Sequence, residues 1–309
     1  MKSLIIKSAL TASAVMFIIA SGAHAQTSTK KKAANSTSVA TVPMNEAGKK
    51  KELPISLTDD FYVFGPQVSD LNSMQTSDDA IDAKTGLSTR HKIGLKYKLK
   101  PDLAITGVAD LVYQLTDPTN GGADRGMHNR MNDPYLKISK KNLINGKIGK
   151  NEISTEAQIR YYAPMSAGSK NNDLKGKAEL DLYPTMKIGK SRFSAEMFSF
   201  ARYYMNTSKF DAATGTRPLT AMLFYVGPQI NYSLSDSITA FTLYDAVMTY
   251  NTLGQSAPTT NPAGSLVDLE PGISFQVNKA ISITPYLNWY TNQSIETTSV
   301  NLNATIQML

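Results

Sequence analysis

From Asp60 to Leu309 the chain divides into short segments in which every second residue is apolar. Alternate side chains of a β-strand point to opposite faces, so a two-residue period gives each segment one apolar face. Between Arg90 and Leu99 the apolar positions are Ile93, Leu95, Tyr97 and Leu99, with Lys92, Lys96 and Lys98 between them. Between Leu103 and Leu115 they are Leu103, Ile105, Leu111, Tyr113 and Leu115, opposed by Thr106, Asp110 and Gln114. Further on, Val267, Leu269, Ile273, Phe275 and Val277 alternate with Asp268, Glu270, Ser274 and Gln276. Helical spacing is sustained nowhere.

The pattern predicts twelve strands, near 60–69, 89–100, 103–115, 134–140, 152–162, 177–188, 192–204, 218–234, 238–250, 265–277, 281–290 and 298–308. The segment 218–234 is overlong, and its apolar phase slips around Gly227-Pro228, which predicts a bulge there. Three hairpins share one spacing, with turns at Lys100-Pro101-Asp102, Ser235-Asp236-Ser237 and Asn278-Lys279-Ala280, all rich in turn formers. A looser copy turns at Gly189-Lys190-Ser191. Tight turns thus follow every second strand and longer polar loops follow the others. The exception is 141–151, which is too long for a turn.

An even number of strands of roughly 9 to 11 residues, joined alternately by short turns and long loops, predicts an all-β fold, a transmembrane antiparallel up-and-down β-barrel. A polar inner phase in every strand could not form the dry core of a soluble sandwich, whereas a barrel in lipid puts the apolar phase outside. Interfacial aromatics should then gather at strand ends. Tyr113, Tyr161, Tyr203, Tyr250 and Trp289 fall on the apolar phase near the long-loop end, and Tyr97 and Tyr232 mark the opposite rim.

What precedes residue 60 changes the setting. Lys2 and Lys7 precede an apolar run, and the small-residue triplet Ala23-His24-Ala25 follows it, which predicts a cleaved signal peptide over residues 1–25. Residues 26–59 lack apolar periodicity and hold Lys30-Lys31-Lys32 and Lys49-Lys50-Lys51, much of a net charge of +7. They are expected to form a disordered periplasmic tail, which could touch an acidic cell wall or lipid headgroups. Cysteine is absent, so disulfides and thiolate metal sites are excluded.

At this point residues 60–309 resemble the outer-membrane β-barrel superfamily, the porin-like proteins assembled from the periplasm. Its members commonly end on a strand with alternating apolar residues and a terminal aromatic. Here Val300, Leu302, Ala304, Ile306 and Met308 supply the alternation, and the chain ends on Leu309 without the aromatic. The resemblance implies location in a Gram-negative outer membrane. It also implies contact with membrane lipid, lipopolysaccharide and the barrel-assembly machinery, and a passive, non-enzymatic passage of small solutes.

Candidate chemistry narrows to the inner phase. Lys92, Lys96, Asp110, Glu156, Glu179, Asp181, Glu196, Asp245 and Glu270 are expected near strand centres, where they would form the lumen constriction. Most other inner-phase basic residues, Arg90, Arg160 and Arg202 among them, fall nearer strand ends, so an open pore would weakly favour cations. The alternative is a lumen closed by salt bridges, in a structural or surface-recognition barrel acting through its loops. A lipid hydrolase is a third reading, with His91 and His128 as the histidines to weigh, each expected on a solvated rim or loop. No ligand spacing for a metal occurs, the oxygen-rich stretches 120–124 and 171–173 read as turn-rich loops, and no cofactor or nucleic acid is expected.

Overall fold

The computed structural model describes residues 54–67, 88–114, 129–212, 214–258, 267–290 and 298–309. The expected signal peptide, nearly all of the Lys-rich tail, His128 and the stretch 120–124 lie outside the described residues.

The strands are β1 (Ile55–Gln67), β2 (Ser88–Lys100), β3 (Leu103–Gln114), β4 (Asn129–Met131), β5 (Tyr135–Ile148), β6 (Asn151–Tyr162), β7 (Lys177–Lys187), β8 (Phe193–Tyr204), β9 (Thr220–Ser233), β10 (Ile238–Asn251), β11 (Ser256–Pro258), β12 (Val267–Gln276), β13 (Ile281–Tyr290) and β14 (Ser299–Gln307). A single short helix among the described residues, α1 (Ala167–Asn171), lies between β6 and β7. Each long strand pairs antiparallel with its neighbours, β9 pairs with β10, and β14 pairs with β1. The result is a closed twelve-stranded antiparallel barrel. Closure removes the free edges that an open sheet would expose. The short β4 and β11 only prolong the sheet beside β3 and β10.

The alternation seen in the sequence becomes an inside-out molecule. Ile159 is 60% exposed and Ile230 61%, whereas Glu179 is 2% exposed and Asp181 fully buried. Apolar side chains coat the outer face over the whole circumference, far beyond the patches a soluble monomer presents. The two ends differ as expected, with tight turns on one side, together with the described N-terminal end of β1 and the C-terminus, and the longer connections on the other.

Four expectations need correction. β1 begins at Ile55, inside the segment assigned to the tail, because Ile55 and Leu57 pair with Tyr97 and Leu95 and continue its outer phase. The segment 141–151 is no loop: β5 runs on to Ile148, and a register shift against β6 between Lys140 and Ile144 absorbs the extra residues. Asn142 takes a φ of 52° at that bulge, which asparagine tolerates, and Gly149 takes 60° in the turn that follows.

The bulge expected at Gly227-Pro228 does not exist, for the pairing of β9 with β8 and with β10 keeps one register through it. The apparent slip has another cause. Arg202 pairs with Leu223 and Phe200 with Tyr225, so both β9 residues share the inner face. The fourth correction follows, since the inner phase is not polar in every strand: β8, β9 and β10 put Phe198, Phe200, Tyr225, Phe241 and Leu243 against the internal cavity.

Candidate functional site

The barrel encloses a cavity of about 780 Å³, bordered by side chains from each of the twelve long strands. Three kinds of wall meet there, and the register of each strand decides which.

The first wall is ionic. Arg90 on β2 donates to Asp110 on β3 through Nε (2.7 Å) and Nη2 (2.5 Å), and Asn132 Nδ2 adds a third hydrogen bond at 3.2 Å. Across β6, β7 and β8, Arg160 meets Glu179 (3.2 Å) and Asp181 (2.8 Å), and Arg202 Nε meets the other oxygen of Glu179 (2.5 Å). Tyr162 Oη donates to Glu179 at 2.9 Å, and Arg160 Nη2 donates to Tyr183 Oη at 2.7 Å and to Gln158 Oε1 at 3.0 Å. Gln158 Nε2 in turn donates to Glu156 at 2.7 Å. Removing these charges from bulk water is costly, and the Arg90 and Arg202 forks and the Arg160 contacts to Glu179, Tyr183 and Gln158 offset that cost, whereas Arg160 Nε and both Asp181 oxygens lie close together without a hydrogen bond.

The second wall, on β12 to β14, is polar and mostly uncharged. Thr284 donates to Ser274 at 3.1 Å and Asn301 to Ser299 at 3.2 Å, while Asn288 Nδ2 bridges Asp268 (3.2 Å) and Glu270 (3.0 Å).

The third wall is aromatic. Phe200 and Tyr225 stack with centroids 5.0 Å apart and planes 10° apart, and Phe198 meets Tyr183 edge-on at 5.8 Å. Two inner-phase glycines make room for these rings. A Cβ on Gly227 would come within 2.7 Å of the Tyr225 hydroxyl, and one on Gly272 would run into the Phe241 ring. Rings laid over strand glycines also shield the backbone that a glycine leaves bare.

A loop narrows the cavity at the long-loop end. Ser166 to Gly168, at the start of α1, border it. Asp133, in the chain between β4 and β5, accepts from the Ser166 amide (2.8 Å), the Ser169 hydroxyl (2.5 Å) and the Lys177 ammonium (2.7 Å). Burial alone would raise the Asp133 carboxyl, but these donors, led by Lys177, hold it down at about 2.

Of the residues expected at the constriction, Lys92, Asp110, Glu179 and Glu270 border this cavity. Asp181 is buried with Arg160, and Glu156 is buried beside Gln158. Glu196 lies half-buried on β8 opposite Thr185 and Gln229. Lys96 lies opposite Ser56 and Thr106. Asp245 pairs in register with Asp268, and its side chain lies outside the described residues. The expected ring is therefore not assembled as one ring of carboxylates. Arg90, Arg160 and Arg202 reach from their strand positions into its members, a consequence of arginine's length that strand numbering does not reveal.

On the outer face, Tyr161 and Tyr203 are half-exposed, Tyr113 pairs with Thr89, Tyr250 with Met222 and Trp289 with Leu269. A polar pair shares that face away from the turns. Asp59 pairs in register with Ile93 and Ile306, and its Oδ2 lies 2.9 Å from His91 Nδ1, while the imidazole packs on Phe61 and edge-on to Tyr113. His91 is thus on the outer phase of the wall, not a solvated rim histidine. Among the described residues no serine or threonine hydroxyl bonds to it.

Comparison with solved structures agrees with this geometry. An outer membrane channel from Pseudomonas putida F1 superposes with a TM-score of 0.53 at 11% identity, over 86% of this chain and all of that one. The fold is that of an outer-membrane β-barrel. A KdgM porin in complex with disordered oligogalacturonate (TM-score 0.42, 7% identity, 81% of this chain and 98% of that one) has weaker similarity. So does outer membrane phospholipase A from Escherichia coli (0.38, 12%, 81% and 89%). No family model matches the chain, and no curated protein matches it in sequence.

Proposed function

We propose that this barrel sits in a Gram-negative outer membrane and acts as a porin-like passive diffusion channel for small hydrophilic solutes. The observation that carries the reading is one cavity bordered by all twelve long strands inside an exterior that is predominantly apolar around the circumference. Lipid satisfies the outer face, and the inner face then offers a polar path through the bilayer. The tight turns would lie on the periplasmic side with the termini, and the loops outside. The ionic wall gives the path a fixed shape, because its side chains are tied to one another across strands.

A closed barrel that acts through its loops is the second reading, and the loop pinned by Asp133 favours it, since that segment narrows the cavity. Liposome swelling separates the two. Vesicles holding refolded protein should swell in isotonic arabinose or glycine and slow as solute size rises. Swelling no faster than empty vesicles, with the protein shown to be folded, would support the closed barrel.

A further inference from the structure

The charges on the cavity wall are not evenly committed. Arg90 meets Asp110, Arg160 and Arg202 meet Glu179, and Lys177 meets Asp133. Lys92 differs. Its Nζ sits 4.8 Å from the centroid of the Tyr62 ring, and among the described residues of this wall neither it nor the exposed Arg130 makes an ion-pair contact with a carboxylate. In register it lies opposite Asp60 and Asp110, but Asp60 accepts from Thr305 Oγ1 (2.8 Å) and Asp110 is taken by Arg90 and Asn132. A cation resting on a ring face is weakly held and can be drawn off by an anion.

Across the barrel from this ammonium lies the aromatic wall. In the ring of twelve strands β9 stands six places from β2, and it carries Tyr225 stacked on Phe200 of β8. Phe241 of β10 extends the same surface over Gly272. These rings cover the strand glycines Gly227 and Gly272, and in doing so they give the lumen an apolar surface on this side. Such rings attract planar or apolar bodies by area and by stacking geometry.

We infer that the lumen holds a binding site for small carboxylates with a planar apolar body, the carboxylate taken by Lys92 and the body laid on Phe200, Tyr225 and Phe241. This inference rests on the channel reading for its purpose, but the site itself is defined by the cavity walls. Glu270, the carboxylate on the neighbouring polar wall, is already bridged by Asn288 and disfavours a second anion only at its own side of the cavity.

The test uses full-length mature protein refolded in detergent and calorimetric titration with 2-naphthoate, 2-naphthylmethanol and 2-naphthylmethylammonium. Naphthoate should bind best. Lys92→Gln should weaken it by about tenfold or more, the loss expected for one charged hydrogen bond, while Lys92→Arg retains most of the affinity. Phe200→Ala and Tyr225→Ala should each weaken it by about fivefold. Heat-modifiable gel mobility verifies that each variant is folded. Equal or tighter binding of the ammonium compound, or an unchanged affinity in folded Lys92→Gln, overturns the inference. Potassium chloride current in a planar bilayer is read on the same preparation. Current without naphthoate binding overturns the site and leaves the channel reading standing, whereas binding without current keeps the site and removes the channel.

Discussion

The Asp59–His91 pair on the outer face gives a prediction with a sign that intuition would reverse. Asp59 is level in register with Ile93, four residues from Thr89, which pairs with Tyr113, and four from Tyr97. At about 3.3 Å per residue and a tilt near 40°, that places the carboxylate roughly 10 Å from either aromatic rim, near the middle of an apolar band about 25 Å tall. One carboxylate oxygen, Oδ1, is buried without a partner, and Oδ2 has only the imidazole. Breaking the pair by His91→Leu strands a carboxylate in hydrocarbon and should cost about 3 kcal/mol. Replacing both, Asp59→Leu with His91→Leu, removes the desolvation cost and keeps apolar bulk against Phe61, so it should stabilise the barrel by about 1 to 4 kcal/mol. Reversible urea unfolding in phospholipid vesicles reads both variants, with Trp289, the single tryptophan of the chain, as reporter. A double variant as unstable as His91→Leu would refute the reasoning and show that the pair contributes a favourable interaction that lipid-facing leucines cannot replace.

Three further outcomes follow from facing and from the loop anchor. Leu111→Arg, on the outer phase opposite His91 and Met131, should impair insertion by about 2 to 4 kcal/mol, whereas Leu223→Arg, on the inner phase beside Arg202, should fold; equal yields of folded protein in vesicles would contradict the facing. Gln158→Arg should destabilise the barrel, because the amide is 5% exposed with both ends bonded and the new cation would sit beside Arg160; an unfolding midpoint equal to wild type would count against the ionic wall. The Asp133 carboxyl is held below its unfolded value, so its contribution is complete above about pH 4 and is lost as pH falls toward about 2. Asp133→Asn at neutral pH should reproduce the acid effect, seen as faster hydrogen exchange in 163–176, and unchanged exchange there would dissociate the loop from its anchor.

Local rules carried most of the architecture. Turn triplets such as Ser235-Asp236-Ser237 and the two-residue period fixed strand number and connection order, since both act over a few residues. What they could not convey depends on neighbours distant in sequence. The extension of β5 through a bulge at Asn142 follows from pairing with β6, and β1 starts early because Leu95 and Tyr97 wait across from it. The slip at Gly227 has the look of a bulge when the strand is read alone, and only the ring of Tyr225 explains the missing side chain. The site was legible as a set of inner-phase charges, but not as pairs. Arg160 touches residues on β7 that follow it by nineteen and twenty-one positions, and nothing in either segment marks the partner. The outward Asp59 was illegible for a similar reason, because its partner is 32 residues away.

If the interior of this barrel is a water-filled path across the membrane, as proposed, single-channel recording in a planar bilayer will show it. Refolded protein lacking residues 1–25 should give discrete current steps in symmetric 1 M potassium chloride, and folded Arg160→Ala and Asp133→Asn variants should give larger ones, because each loosens a group that borders or narrows the cavity. A folded, inserted protein that yields no current, with these two variants equally silent, would show that the barrel is closed to ions.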